Sequence, residues 1–141
     1  MNGIYDQGLA RNEANYQPLT PLTFLERAAT VYPEQTAIIY GDLHVNYYTF
    51  YQRCRQLSSS LAKIGISRGD TVSVMLANTP AMLEVHYAVP MCGGVLHALN
   101  TRLDASIIAF QVRHAESRVL ITDTEFADTI SEVLAQQDLS L

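Results

Sequence analysis

Three short apolar segments separated by helical ones constrain the fold of this sequence more than any other feature. Thr71–Ala77, Val95–Leu99 and Val119–Thr122 are nearly all apolar, which is typical of strands that a sheet buries on both faces. Strands joined by helix-length connections are parallel, with right-handed crossovers. The sequence therefore predicts an open, mainly parallel α/β sheet built from β-α-β-α-β-α units.

The first connection carries a helix start and a glycine turn. Asn78-Thr79-Pro80 begins a helix towards Met91, and Pro90 is expected to truncate it. Cys92-Gly93-Gly94 then follows. A glycine pair can let a backbone approach a ligand, but the favoured interpretation is that this pair turns the chain from the helix into the next strand.

The later connections carry capping residues. Asp104 can cap the second helix, and Thr122 with Glu125 can cap a last helix that runs to about Leu134. In such sheets ligands bind at the carboxyl ends of strands, where the strand order reverses. We expect that a start of three strands does not yet contain that reversal.

The N-terminal part divides into an arm and the beginning of a domain. Residues 1–18 are polar and without period, which predicts an extended arm, and residues 19–141 are assigned to one partial α/β domain. Thr20 can cap a short helix with Pro21 at its first position, and Pro33 stops it.

A hairpin and a long helix precede the sheet. Thr36–Tyr40 and Leu43–Asn46 flank Gly41-Asp42, which favours two antiparallel strands around a turn. Thr49–Gln52 fits a capping box for the helix that follows, and Gly65 is expected to end that helix in a left-handed conformation.

Charge and hydropathy exclude several classes of function. The net charge is -5, and the nine basic residues are scattered, which argues against binding nucleic acid through phosphates. The segment Met1–Ala10 does not fit a signal peptide, and no stretch of about 20 apolar residues could span a bilayer. The sequence predicts a cytoplasmic location.

The potentially reactive side chains form no recognisable site. Cys54 and Cys92 are far apart and are predicted to be reduced, buried thiols. No histidine has a partner at the spacing of a catalytic triad or a metal site; the histidines are His44, His86, His97 and His114. His97 is expected in the core. His86 could face a cleft, although a packing or surface role is favoured.

Nucleotide and nucleophile motifs are also missing. Asn78-Thr79-Pro80 stands where a dinucleotide-binding turn needs glycines, and no Gly-Lys-Ser or Gly-Lys-Thr occurs. Ser58-Ser59-Ser60 lies inside a helix, not on the strained turn of a nucleophilic serine. Asn100-Thr101-Arg102 follows the second strand and could face a ligand. The favoured alternative is that Asn100 and Arg102 hold their loop through hydrogen bonds to backbone carbonyls.

Five stretches occur together in one order and spacing. They are Pro18–Ala29, Pro33–Asp42, Tyr51–Leu57, Gly65–Pro80 and Val89–Leu103. In this arrangement the sequence, over residues 15–125, resembles the opening of adenylate-forming acyl-CoA synthetases, particularly the medium-chain fatty-acid type. The resemblance implies an incomplete N-terminal portion of the synthetase fold.

The resemblance also implies a reaction for the whole enzyme. A fatty acid attacks ATP in the presence of magnesium to give an acyl-adenylate, and coenzyme A then displaces AMP. The phosphate loop, the aromatic-Thr-Glu segment, the ribose-binding aspartate and the catalytic lysine of that family have no counterparts here, and Lys63 is the only lysine. No catalytic, cofactor-binding or metal-binding residue is therefore assigned, and the chain alone is expected to be inactive.

Other functions remain open from the sequence. A non-catalytic α/β interaction module, or one half of a split synthetase, would bind the remainder of the enzyme or associate with itself, because a sheet cut after three strands exposes an edge. A small nucleotide sensor is a third possibility, disfavoured by the missing glycine loop.

Overall fold

The computed structural model describes residues 3, 7–8, 10–14 and 16–136, so part of the predicted arm, residues 1–18, lies outside the described residues. The helices are α1 Pro21–Val31, α2 Tyr47–Lys63, α3 Pro80–Met91, α4 Ala105–His114 and α5 Ala127–Ala135. The strands are β1 Thr36–Tyr40, β2 Leu43–Asn46, β3 Thr71–Met75, β4 Val95–Ala98 and β5 Ser117–Thr122. The predicted order of elements is thus confirmed.

The N-terminal elements follow from their local signals. The Thr20 hydroxyl accepts the backbone N–H of Thr23 at 3.4 Å and Pro21 opens α1, as predicted. The strands β1 and β2 pair antiparallel, and Gly41 between them has a φ of 58°. Side chains of α1, the hairpin and α2 share one buried cluster, which fixes these elements against each other.

The predicted start of α2 was wrong. Asn46, and not Thr49, caps the helix: its side-chain oxygen accepts the backbone N–H of Thr49 at 2.8 Å. The helix therefore begins directly after β2, with no intervening loop. Its end was predicted correctly, because it stops at Lys63 and Gly65 has a φ of 97°.

Two other helix boundaries differ from the prediction. Pro90 does not truncate α3, which continues to Met91, because a proline in the last turn removes only one helical hydrogen bond. Thr122 and Glu125 do not cap the last helix. A 3₁₀ turn over Thr124–Phe126 precedes α5 instead, and the Thr122 hydroxyl donates to the carbonyl of Asp123.

The sheet of three parallel strands has the order β4-β3-β5. The central strand β3 is buried along almost its whole length, whereas β4 and β5 are partly exposed. The polypeptide leaves β3 for β4 on one side and then crosses to β5 on the other. The expectation that three strands do not contain the reversal of strand order was therefore wrong: it lies between β3 and β5.

Two hydrophobic layers cover the two faces of this sheet. Val72 and Val74 point to the layer formed by α2 and α3, while Met75 points to the layer formed by α4 and α5. Since the connections through α3 and α4 run in opposite directions, crossovers of the same hand place these helices on opposite faces. Within the part of the chain that the structure describes, no helix is long and apolar enough to cross a membrane.

Candidate functional site

The loops that follow β3, β4 and β5 meet at one side of the sheet, which we call the carboxyl edge. They begin at about Asn78, Asn100 and Asp123. The backbone N–H of Leu99 donates to the carbonyl of Val74 at 2.9 Å, and that of Asp123 donates to Met75 at 3.2 Å. These bonds bring the three loops together at the reversal point, where open α/β sheets bind ligands.

An open groove of about 540 Å³ extends from the carboxyl edge between α1 and α3. Its lining is Pro21, Asn78, Thr79, Met82, Leu83, His86 and Tyr87. His86 donates from Nδ1 to the carbonyl of Met82 at 2.7 Å, so its Nε2 is the acceptor nitrogen in the neutral ring. His86 is exposed and lines this groove, so the surface role that the sequence favoured and the cleft position that it left open both hold.

The second loop of the carboxyl edge is held by its own asparagine. The side-chain oxygen of Asn100 accepts the backbone N–H of Arg102 at 2.9 Å. The loop-holding role that we favoured is confirmed for Asn100, although its partner is an amide N–H and not a carbonyl. It was wrong for Arg102, whose side chain does not bond to this loop. Among the described residues, the guanidinium of Arg102 has no hydrogen-bonding or ionic partner. Arg102 lies in the loop that follows β4, at the carboxyl edge.

A row of polar side chains crosses the sheet on the face of α4 and α5. Ser73, which is fully buried, lies 2.8 Å from His97 Nδ1 and 2.6 Å from the Ser117 hydroxyl. The row joins all three strands, and burial lowers the pKa of His97. His97 is therefore hydrogen-bonded and half-buried, close to the expected core role. The sequence prediction did not identify the two serines.

Arg53 of α2 and Glu84 of α3 form an ion pair that the sequence did not reveal. Both carboxylate oxygens of Glu84 accept hydrogen bonds from Arg53, with the bond to Nη2 at 3.2 Å. Glu84 is only 7% exposed. The pair lies on a polar cavity of about 370 Å³ beside the hairpin. Because the two charges offset each other, this cavity offers no free cation for a phosphate group.

The thiols are not both buried. Cys54 is fully buried beside that ion pair, and burial raises its pKa to about 12. Cys92 is partly exposed at the end of α3, where its Sγ lies 3.1 Å from the carbonyl of Val89. Both are free thiols, as predicted, although the expected burial holds only for Cys54.

The remaining residues that the sequence analysis considered have structural roles. Gly93 has a φ of 86° and packs against the backbone of Arg68, which confirms the turn interpretation. Ser60 donates to the carbonyl of Gln56 within α2. His114 stacks on Phe110 with ring centroids 5.5 Å apart.

These residues do not fit a site for ATP and magnesium by themselves. In the described ranges, no three His, Cys, Asp or Glu side chains are grouped to hold a metal ion. Triphosphate binding needs several donors and cations, and Arg102 is the one cation in the three described loops of the carboxyl edge. Lys63 lies in the last turn of α2, which leads into the opposite end of β3.

Comparison with known proteins identifies the family of this chain. Residues 25–140 match the family described as AMP-binding enzyme, so the chain belongs to this family. It is 52% identical over 122 residues to a peroxisomal butyrate–CoA ligase of Arabidopsis thaliana, which covers 86% of this chain and 21% of that protein. It is 50% identical over 133 residues to a peroxisomal benzoate–CoA ligase of the same plant, covering 94% and 22%.

Solved structures agree with this assignment. An inhibitor-bound N-terminal domain of FACL13 from Mycobacterium tuberculosis superimposes with a TM-score of 0.78 at 27% identity, covering 82% of this chain and 30% of that one. A fatty acyl CoA synthetase of Mycobacterium tuberculosis gives 0.79 at 27% identity, covering 84% and 24%. The chain spans about a fifth of the length of the curated relatives that it matches.

Proposed function

We propose that this chain is the N-terminal scaffold of an ATP-dependent ligase that joins a monocarboxylic acid to coenzyme A, and that it has no ligase activity alone. The observation that carries the proposal is the 52% identity over 86% of the chain to a butyrate–CoA ligase of which only 21% is matched. The cation-poor carboxyl edge supports the second part, because one arginine does not offset the charge of a triphosphate.

The acid substrate is proposed at the level of class. The relatives carry the names of butyrate and benzoate ligases, and the medium-chain fatty-acid resemblance of the sequence adds longer acids. All are monocarboxylates that differ in the size of the apolar part. The groove between α1 and α3 does not decide among them, because it is open to solvent and lined by few residues.

The test compares the chain with a chimera. The 141-residue chain is continued by the residues that follow the matched segment in the Arabidopsis butyrate–CoA ligase, and the full-length relative serves as control. ATP–pyrophosphate exchange and thioester formation are measured with acetate, butyrate, octanoate and benzoate, with magnesium and coenzyme A. We expect activity from the chimera and none from the chain alone. Robust exchange by the chain alone, or an inactive but folded chimera, would contradict the proposal.

ATP alone provides a second readout. A scaffold without a phosphate site keeps its melting temperature when ATP and magnesium are added, whereas a nucleotide sensor melts at a higher temperature, since a ligand stabilises the state that binds it. A rise of several degrees at millimolar ATP would favour the sensor.

The domain boundaries are proposed as residues 1–18 for the arm and 19–141 for the domain start. The first element that packs into the core is α1, whose Leu25 is buried. Limited proteolysis should therefore remove residues from the arm before it cuts within residues 21–136. An early cut inside α1 would contradict this division.

The cytoplasm is the proposed location of the chain. This proposal rests on the residues of the chain itself, since the matched butyrate and benzoate ligases are named as peroxisomal. A fluorescent fusion of the 141-residue chain should be diffuse in the cytoplasm. Punctate fluorescence that coincides with a peroxisomal marker would refute it.

A further inference from the structure

The polar row of Ser117, Ser73 and His97 contains two hydroxyl hydrogens and one ring nitrogen whose role depends on protonation. Ser73 Oγ lies 2.6 Å from Ser117 Oγ and 2.8 Å from His97 Nδ1. Ser73 is fully buried and Ser117 is 5% exposed, whereas His97 is partly exposed. Among the described residues, neither hydroxyl has a hydrogen-bonding partner outside the row. The row must therefore satisfy its own hydrogen atoms.

One direction of hydrogen bonding uses both hydroxyl hydrogens. Ser117 donates to Ser73, and Ser73 donates to His97 Nδ1, which is then the unprotonated nitrogen of the ring. In the opposite direction Nδ1–H donates to Ser73 and Ser73 donates to Ser117, so the Ser117 hydrogen has no acceptor within the described part of the chain. Because a buried donor without a partner is costly, the row favours the neutral His97 ring that carries its proton on Nε2.

Protonation of His97 conflicts with this direction. The imidazolium donates from both nitrogens, so Nδ1 no longer accepts from Ser73 and the row must reverse or break. Burial is the cause that lowers the pKa of His97, and no neighbouring carboxylate acts against it. The charged and titratable side chains of the elements around this face are all exposed; they are Asp104, Arg113, His114, Glu116, Asp128 and Glu132.

The two bonds of the row join different strands, so they need not break together. The Ser73–Ser117 bond joins β3 to β5 and contains no titratable group, whereas the Ser73–His97 bond joins β3 to β4. The strand β4 is only four residues long, and its pairing with β3 ends at Ala98. The backbone bond from Leu99 to Val74 follows directly, and the loop held by Asn100 comes next. The titratable bond is thus close to the end of the strand that carries this loop.

We propose that the polar row is a pH-sensitive switch that controls how firmly β4 and the Asn100–Arg102 loop are held to the sheet. While His97 is neutral, Ser73 bonds to its Nδ1, and β4 is fixed by side chain and backbone together. Proton uptake removes the side-chain bond, the ring turns towards solvent, and the end of β4 opens more often together with its loop. The strand β5 stays bonded through Ser117. This inference goes beyond the proposed function and does not depend on it, because every group involved belongs to the described strands.

NMR of the histidine rings in the 141-residue chain tests the resting state of the switch. At about pH 7.5, the nitrogen chemical shifts should show that His97 carries its proton on Nε2 and that Nδ1 is unprotonated. The same spectra, recorded as the pH is lowered, give the pH at which His97 takes up its second proton. A neutral ring with the proton on Nδ1 would overturn the inference.

Hydrogen exchange then compares two amides that make equivalent backbone bonds on either side of β3. Leu99 donates to Val74 on the β4 side, and Asp123 donates to Met75 on the β5 side. Exchange rates are corrected for the intrinsic effect of pH. When His97 becomes protonated, the protection of the Leu99 amide should fall by about tenfold or more, and that of Asp123 should change by less than about twofold. Equal changes at both amides, or no change at Leu99, would overturn the inference.

A pair of glutamine variants separates His97 from another histidine on an element of this face. Glutamine has an amide oxygen that can accept from Ser73 but does not titrate, so His97→Gln should keep the Leu99 amide protected at every pH in the range. His114→Gln, in the last turn of α4, should retain the pH dependence of the parent chain. A loss of Leu99 protection at low pH in His97→Gln, or its disappearance in His114→Gln, would contradict the switch. If His97→Gln does not fold, the titration of the parent chain decides the question.

Discussion

The two ends of the parallel sheet differ in how firmly they are bonded. At the end where the strands begin, which we call the amino edge, the Asp70 carboxylate accepts hydrogen bonds from both the backbone N–H and the hydroxyl of Ser67 at 2.8 Å, and from Arg118 at 2.9 Å. Gly69 N–H donates to Gly93, and Val95 N–H donates to the Asp70 carbonyl. At the carboxyl edge, loops and the groove are open to solvent.

This difference separates stability from binding. The bonds of the amino edge tie the start of each strand to its neighbours, so they fix the register of the sheet. The carboxyl edge also has two backbone bonds between strands, from Leu99 to Val74 and from Asp123 to Met75, but the side chains of its described loops bond only within their own loop or to no protein group. Substitutions at the amino edge should therefore lower the free energy of unfolding, and those at the carboxyl edge should change binding instead.

The largest expected effect is at Gly93 of the amino edge. Its φ is 86°, and an added Cβ would lie 3.2 Å from the Arg68 Cα. Gly93→Ala should reduce the free energy of unfolding by about 2–4 kcal/mol, from backbone strain plus overpacking. Gly65→Ala is the matched control, since its φ is 97° but nothing lies within 4 Å of the added atom. It should cost about 1–2 kcal/mol in urea denaturation; equal costs would contradict the role of the Arg68 contact.

The next effect concerns the polar row within the sheet. Ser73→Ala leaves the Ser117 hydroxyl and His97 Nδ1 without their shared partner, which should destabilise the fold by about 1–3 kcal/mol. Ser60→Ala, at an exposed position of α2, is the control and should stay within about 0.5 kcal/mol of the parent chain. If the two variants unfold at the same urea concentration, the row does not stabilise the sheet.

A pH dependence should follow from His97. Burial lowers its folded-state pKa below the ordinary value of 6.5. As the pH falls below about 6.5, the unfolded chain therefore binds more protons than the folded chain. The stability that neutral His97 contributes is present above about pH 6.5 and is lost as the pH falls to the folded-state pKa. Urea denaturation of His97→Gln should show a smaller loss of stability over that window. An unchanged pH slope in the variant would show that His97 is not the responsible group.

A second loss of stability should occur at lower pH, and it comes from Asp70 at the amino edge. Hydrogen bonds from Ser67, and then Arg118, hold the pKa of Asp70 below its ordinary value of 3.8. Stability from this carboxylate is present above about pH 3.8 and is lost as the pH falls to its folded pKa. Asp70→Asn should lack this acid-dependent loss in thermal unfolding scans. Because Asp70 is partly exposed and its partner Arg118 is exposed, the effect should also shrink at high salt.

The smallest effect on stability is expected at the carboxyl edge. Asn100→Ala and His86→Ala change exposed side chains and should alter the free energy of unfolding by at most about 0.5 kcal/mol. In the chimera we expect both to reduce acid-dependent ATP–pyrophosphate exchange, because Asn100 lies at the carboxyl edge and His86 lines the groove that extends from it, on the side where open α/β sheets bind ligands. Losses of stability as large as that of Gly93→Ala would remove the distinction between the two edges.

Local signals explain most of what the sequence predicted correctly. Thr20 with Pro21 placed the start of α1, and the apolar runs placed all three parallel strands, because both signals lie within a few residues. The predicted start of α2 was wrong because Asn46 and Thr49 are both acceptable N-caps. The choice between them depends on how closely the hairpin packs against the helix.

Contacts between distant residues were not predictable in the same way. The Arg53–Glu84 pair joins residues 31 positions apart on two helices, and no local pattern marks it. The row of Ser73, His97 and Ser117 left a weak signal, a polar residue in two of the apolar segments and one just before the third, but its meaning depends on the register. Short sequence patterns did not give the strand order either, because it is set by the direction in which each helical connection crosses the sheet.

Because the two cysteines are unequally buried, their reaction with a thiol reagent reports on the unfolding of the chain. Cys92 is partly exposed, whereas Cys54 is enclosed and its pKa of about 12 keeps it almost entirely a thiol at neutral pH. A thiol-reactive dye should therefore label one cysteine in the native protein and two after denaturation. The rate of the second labelling then measures how often the cluster that α1, the hairpin, α2 and α3 form around Cys54 opens.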